Sequence, residues 1–500
     1  MNYVSRLFAL LFGALIIGSV FSPVQAQDTP FITVWDTENS GTSDNDQIII
    51  PGTGTEYTII WTELGDSSNT DTTTATDDKT ITFPNRGVYR IEISGNFTRI
   101  HFGGDSGDDA NKIIQVEQWG DIEWATMERA FAGAEELDIS ADDTPDLSGV
   151  ANMRAMFSSN SSLVAENSSI PSWDVSSVSN MRSLFLQADS FNQPLDSWDV
   201  SGVNNMSRMF ESAESYNRSL NGWNVINVSN MKGMFSRASS FNISLNDWDV
   251  SSVNNMREMF DNATSFNSDI STWDVSSVKN MKSMFGGASS FNGDITSWDV
   301  SNVENMESMF FGAQSFNRDI SSWDVSSVRD MRRMFRSAQS FNQNIPSWNV
   351  SNVDDMKRMF DGASSFNQDI GLWDISSVNR MTDMFDDSSI SRKNYDRTVI
   401  GWTQNNLRTD VVLGATVEYC NSGPFRNHLI ESLEWSIIDS GLGINCPQKL
   451  TSSQHKQING DGTFEFGEVA ITMELDGVIG SGRFTLVRYD DQARNIEGIP

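Results

Sequence analysis

The sequence predicts an α/β solenoid, with one short strand and one helix in each 25-residue coil, preceded by a small antiparallel β-domain. Three observations carry that expectation. Tryptophan recurs at Trp173, Trp198, Trp223, Trp248, Trp273, Trp298, Trp323, Trp348 and Trp373, always 25 residues apart. Methionine keeps the same step from Met181 to Met381, and a phenylalanine follows each methionine four positions later, from Phe185 to Phe385. The two halves of a unit also differ in periodicity. In the segment that begins SFNGDITSWDVSNVENMESMFFGA at Ser290, the residues Val303, Met306, Met309, Phe310 and Ala313 follow helical spacing, with Asn302 placed to cap the helix. Phe316 to Trp323 has the aromatic and branched content of a short strand and turn. A single unit cannot bury such a stripe alone, so units must stack like on like.

The elements follow in chain order. Residues 1–26 read as a secretory signal, with Arg6 at the positive start, an apolar stretch from Leu7 to Val20, and Val24-Gln25-Ala26 as the cleavage site. No second apolar run of membrane length follows, so the mature chain is expected to have no membrane span. Residues 27–118 read as a β-sandwich-like domain, with strands expected at Gln47–Ile50, Tyr57–Trp61, Thr80–Phe83 and Val88–Ile93. Acidity is concentrated here, with 25 acids against 6 bases between residues 27 and 150. Residues 119–391 form the array of about eleven units, the first two degenerate and carried by Met127 with Phe131 and by Met153 with Phe157. Residues 392–447 read as a terminal cap, and an exported chain makes a Cys420–Cys446 disulfide the expected state of its two cysteines. Residues 448–500 hold two β-like runs, Gly467–Leu475 and Gly482–Tyr489, too few for a module, so the sequence is expected to stop inside a domain.

Within the array, the residues expected in the repeat core are Trp273, Val278, Met281, Met284, Phe285, Ala288, Phe291, Asn292, Ile295 and Trp298. The asparagine column from Asn192 through Asn217, Asn242, Asn267, Asn292, Asn317 and Asn342 to Asn367 is expected to form a buried ladder that satisfies backbone groups between coils. The aspartate after each tryptophan is replaced by Asn224 and Asn349, which favours a turn acceptor over a calcium ligand. Lys279 and Lys282 share columns with Glu304 and Glu307 in the next coil and with Arg329 and Arg332 in the one after, so neighbouring coils should attract and slipped stacking should be disfavoured. Arg329, Arg332, Arg333 and Arg336 fall on one expected helix, as a solvated face or as a partner-binding surface.

The phrases SFNGDITSWDVSNVENMESMF and SFNRDISSWDVSSVRDMRRMF closely resemble the surface-protein repeat of the bacterial BspA-like leucine-rich-repeat family, over about 270 residues. That resemblance implies a leucine-rich-repeat-like solenoid, export or surface display, and adhesion to host or neighbouring-cell proteins, with no catalytic residues to carry over. Phe83-Pro84-Asn85-Arg86-Gly87-Val88-Tyr89 resembles the turn before the last strands of polycystic-kidney-disease-type sandwich modules, without their Trp-Gly-Asp-Gly signature.

Composition narrows the function classes. With 34 Lys plus Arg against 67 Asp plus Glu, a net charge of −33, the chain repels nucleic acid. Only three histidines occur, His101, His428 and His455, far apart in sequence, which leaves few ingredients for a metal site or a nucleophile–base pair. The reading is a secreted or cell-surface extracellular protein, not an enzyme, without cofactor or metal, that binds an extracellular host or neighbour-cell protein. A carbohydrate-binding surface protein, favoured by the repeated Trp and Asn, is the alternative partner class. A hydrolase scaffold rests only on abundant carboxylates.

Overall fold

The computed structural model describes residues 29–103, 108–444 and 446. The expected signal segment and the two β-like runs beyond residue 448 lie outside the described residues. At the amino-terminal end the chain forms β1 (Phe31–Asp36), buried almost throughout, β2 (Gln47–Ile50), β3 (Gly52–Glu63), the polar and exposed β4 (Asp66–Ala75), β5 (Lys79–Thr82), β6 (Val88–Ile100) and β7 (Ile113–Gln118). In β6 the period-two set Tyr89, Ile91 and Ile93 is buried. The main sheet runs β4-β3-β6-β1-β7 in antiparallel pairs, while β2 and β5 form a separate antiparallel pair. The sheet then gains a parallel strand, β8 (Asp138–Ile139), which belongs to the first coil of the array. Its core joins that of the array, since Trp119 packs edge-on against Trp173 at 5.2 Å and against Phe131 at 6.0 Å. The β-domain therefore closes one end of the solenoid.

The expected helix does not exist. Among the described residues the only α-helices are α1 (Arg392–Trp402) and α2 (Gly423–Leu433), both beyond the array, so the fold is not an α/β solenoid with a helix in every coil. In coil 306–313 alternate N–H groups leave the coil instead. Met306 donates to Asp330 O at 3.0 Å, Ser308 to Arg332 O at 2.8 Å, Phe310 to Met334 O at 2.9 Å and Gly312 to Arg336 O at 2.7 Å. The intervening groups close four-residue turns: Met309 to Met306 O, Phe311 to Ser308 O and Ala313 to Phe310 O, each 3.1 Å. An α-helix sends its N–H groups to the carbonyl four residues back and has none left for the next coil. The switch is made by left-handed residues four apart, Ser308 (φ 57°) and Gly312 (φ 65°), repeated as Ser283 and Gly287, Arg333 and Ser337, and Arg358 and Gly362. Their φ signs are those that type II turns require.

Succession of these turns still carries Val303, Met306, Met309, Phe310 and Ala313 to the interior, where all are fully buried. A spacing of 3, 3, 1 and 3 suits linked turns as well as a helix, which is why the periodicity misled. Asn302 caps nothing; its Nδ2 donates across coils to Ser276 O at 2.9 Å. Phe316 to Trp323 forms no strand either. Single parallel bridges link Asn280, Asn305, Asp330 and Asp355 from coil to coil, and only the last rungs widen into β9 (Met381–Phe385), β10 (Val412–Ala415) and β11 (Ser436–Ile438), a parallel sheet.

Columns of like aromatic rings fill the interior. Phe285, Phe310, Phe335 and Phe360 stack at 5.6–5.7 Å between neighbours, and each packs on a second phenylalanine of its own unit, as Phe310 does on Phe316 at 3.9 Å. The degenerate units join in register, Phe131 on Phe157 at 5.8 Å and Phe157 on Phe185 at 5.7 Å. At the far end Phe385 stacks on Trp402 of α1 at 6.3 Å. That helix can approach because Gly401 carries no side chain: a Cβ there would lie 2.3 Å from Gly371 O. Cys420 and Cys446 are bonded, with Cα atoms 5.3 Å apart. Buried Asp396 anchors this turn by accepting from the N–H groups of Cys420 and Ser422, both at 3.0 Å.

Candidate functional site

Each coil divides its side chains between a sealed interior and a solvent face. Of the expected core, Trp273, Val278, Met281, Met284, Phe285, Ala288, Phe291, Ile295 and Trp298 are buried, whereas Asn292 is only half-buried. The tryptophans leave no ring face open, at 3% exposure for Trp273 and Trp298. Their indole N–H groups are used as well: Trp273 Nε1 donates to Leu245 O at 2.8 Å and Trp298 Nε1 to Ile270 O at 3.2 Å. The asparagine column does form a ladder, but at the surface. Asn267 Oδ1 accepts the N–H of Asn292 at 2.7 Å, and Asn292 Oδ1 accepts that of Asn317 at 3.0 Å. Running at the edge rather than inside, this ladder ties successive coils where no strand does.

The aspartate after each tryptophan is a turn acceptor, as with Asp299 Oδ1 and the N–H of Ser301 at 3.0 Å, and Asn349 does the same for Ser351 at 3.2 Å. The hydroxyl and N–H of the serine two residues on hold Asp174, Asp199, Asp249 and Asp299 below the ordinary carboxylate range. Among the described residues no three His, Cys, Asp or Glu side chains converge to hold a metal ion.

Charges on the solvent face fall in two columns. In the inner one, Lys282 pairs with Glu307 at 2.6 Å and Glu307 with Arg332 at 2.9 Å. The outer column, Lys279, Glu304, Arg329 and Asp354, is exposed and takes part in no ion pair among the described residues. It borders a polar groove of about 760 Å³ lined by Glu304, Arg329, Asp354, Ser326, Asn352 and, from the cap, Arg408.

Of the four arginines singled out by sequence, Arg329 is exposed and Arg332, Arg333 and Arg336 are half-buried. Arg332 is bound to Asp330 and Glu307, and Arg336 to Asp361 at 2.8 Å with its guanidinium 5.6 Å from the centre of the Phe311 ring. Arg333 is half-buried at a left-handed position, and Arg329 lies on the groove. Sequence reasoning missed Arg408 and Phe311. Arg408 lies outside the period, whereas Phe311 could have been noticed as the one aromatic in a mostly charged column that includes Glu211, Asp261, Arg336 and Asp361. A further feature is acidic: burial pushes the Asp261 carboxyl up to about 6, with the Asn262 amide opposing and Glu258 and Glu211 adding to the rise.

A stacked array with an aromatic interior fixed from coil to coil and charges that vary outside it defines a repeat protein. The family described as a Mycoplasma protein of unknown function, DUF285, matches residues 125–247, 218–317 and 293–398, which together cover more than half of the chain. The chain belongs to that family. No curated protein and no solved structure matches it. The family match establishes the repeat array and names no ligand.

Proposed function

We propose that this chain is a secreted or cell-surface, non-enzymatic binding protein whose array contacts another extracellular protein, as an adhesin does. The observation that carries the reading is the division of labour within each coil. Interior columns stay apolar or aromatic in every coil, with exchanges only of like for like, while exposed positions such as Lys279, Glu304 and Arg329 change sign from coil to coil on a backbone ladder that holds them in place. A rigid surface with a programmable outer column is what recognition by several adjacent coils needs. The repeat's resemblance to the BspA-like family supports adhesion, and the amino-terminal segment 1–26 supports export. A glycan partner is less favoured, because sugar stacking needs open aromatic faces and the tryptophan column is closed.

The test is a binding screen of the full chain, lacking residues 1–26, against extracellular proteins and a glycan panel. A protein ligand whose affinity falls with rising salt and with Arg329→Glu supports the reading. A salt-insensitive glycan ligand lost on changing one exposed polar side chain, or turnover of any substrate, would overturn it.

A further inference from the structure

The outer charge column carries its own complement. From coil to coil it reads Asn254, Lys279, Glu304, Arg329, Asp354 and Asn379, that is neutral, plus, minus, plus, minus, neutral. Backbone hydrogen bonds fix these residues as successive rungs. Lys279 N–H meets Asn254 O at 3.1 Å, Glu304 meets Lys279 O at 2.9 Å, Arg329 meets Glu304 O at 3.0 Å, Asp354 meets Arg329 O at 2.9 Å and Asn379 meets Asp354 O at 2.8 Å. All four charged side chains are exposed and free of ion pairs among the described residues, whereas in the inner column three residues on, Lys282 and Arg332 both pair with Glu307, and the next rung, Lys357, breaks the alternation.

We propose that a second copy of this chain docks on the outer column, antiparallel, about a two-fold axis passing between Glu304 and Arg329. Reversal of the order plus, minus, plus, minus gives its opposite. The axis therefore sets Lys279 against the partner's Asp354 and Glu304 against the partner's Arg329, with the two reciprocal pairs completing four contacts. Because both copies have the same rung spacing, about 4.8 Å for hydrogen-bonded neighbours, all four pairs come into register together. A slip of one rung places like charges opposite each other, an in-register parallel arrangement does so at every position, and a parallel arrangement slipped by one rung keeps only three opposite pairs. Neutral Asn254 and Asn379 end the run on both sides. The polar groove beside Arg329, Asp354 and Arg408 faces the partner's Lys279 side in this arrangement. The proposal goes beyond the adhesive reading and stands without it, since it names the partner from charge order alone.

The test uses sedimentation of the full chain without residues 1–26, with melting curves to confirm that each variant is folded. The expected result is a dimer at about 100 µM protein near 0.15 M salt, where the repulsion between two copies of net charge −33 is screened, that dissociates near 0.5 M salt. An all-plus variant, Glu304→Lys with Asp354→Lys, and an all-minus variant, Lys279→Glu with Arg329→Glu, should each be monomeric alone and form a heterodimer when mixed. Exchange of the two central charges, E304R with R329E, keeps the reversed order complementary and should keep the dimer, whereas it would disrupt a site built for a different protein. A monomeric parent chain near 0.15 M salt, dimers that persist in both single-sign variants, or no heterodimer on mixing would each overturn the proposal.

Discussion

Replacing Gly312 by alanine separates a coil of linked turns from a helix by the sign of its effect. In a helix interior the change would stabilise, since alanine is favoured over glycine by about 1 kcal/mol. Gly312 is held at φ 65°, and a Cβ there would find its nearest neighbour, Gly287 Cα, at 3.8 Å. Nothing clashes, so the cost is conformational alone. An alanine in the left-handed region costs about 1–2 kcal/mol, of which its smaller freedom in the unfolded chain returns roughly 0.4–1. The net is a destabilisation on the order of 1 kcal/mol where a helix predicts a gain of similar size. Because a stacked array opens locally, amide exchange read by mass spectrometry over residues 306–313 is the right assay, and about fivefold faster exchange is expected there with distant coils unchanged. Slower exchange in the variant would refute the left-handed turn and restore the helix.

Tyr216 stands in a phenylalanine column, stacked between Phe191 and Phe241 at 6.0 and 6.4 Å, and its buried hydroxyl has no hydrogen-bond partner. Tyr216→Phe should raise the urea midpoint, by about 1 kcal/mol in stability, and its advantage should widen above pH ~10, where burial keeps the folded phenol protonated while the unfolded one ionises; a lower midpoint would mean that the hydroxyl is satisfied. Asp261, with its carboxyl raised to about 6, binds more protons folded than unfolded between the ordinary value of 3.8 and 6, so stability falls as pH rises through that window. Asp261→Asn should therefore stabilise at pH ~8 and lose most of that advantage near pH ~4, as read from urea midpoints at both; equal effects at the two would contradict it. Reduction of the Cys420–Cys446 bond, which closes a loop across 26 positions, should destabilise the cap by about 3 kcal/mol, with faster amide exchange over residues 392–444 and none over coils 181–306.

The columns were legible because they repeat. A tryptophan every 25 residues fixes the coil length, and stacking places like on like whatever the local backbone does, so Trp298, Phe310 and Ile295 could be assigned to the interior without knowing their φ and ψ. The backbone was not legible because apolar spacing reports which side chains turn inward, not how the chain turns. Glycine held the missing signal. Gly287, Gly312 and Gly362 each precede the column alanine at one position, and glycine recurring inside a supposed helix is costly unless φ is positive. Serine and arginine at the equivalent positions Ser337 and Arg237 masked it, since neither suggests a left-handed residue. Arg329 and Arg332, expected on one helix, fall instead in adjacent columns of the solvent face, the first exposed and the second ion-paired.

The two charge columns then differ in role although their first three signs agree, Lys357 standing level with Asp354, and burial decides which does what. Glu307 is 7% exposed, so its carboxylate cannot keep a full water shell and has to be compensated by Lys282 on one side and Arg332 on the other. Those partners sit one coil away in each direction, so the inner column ties three adjacent coils together. Lys279, Glu304, Arg329 and Asp354 are exposed, so water already satisfies them, and pairing them within the chain would gain ~0–1 kcal/mol per contact. Their sign order cannot then be accounted for by the stability of the fold. What alternation does at an exposed position is discriminate between arrangements of a second surface, and a run whose reversal is its own complement discriminates in favour of itself.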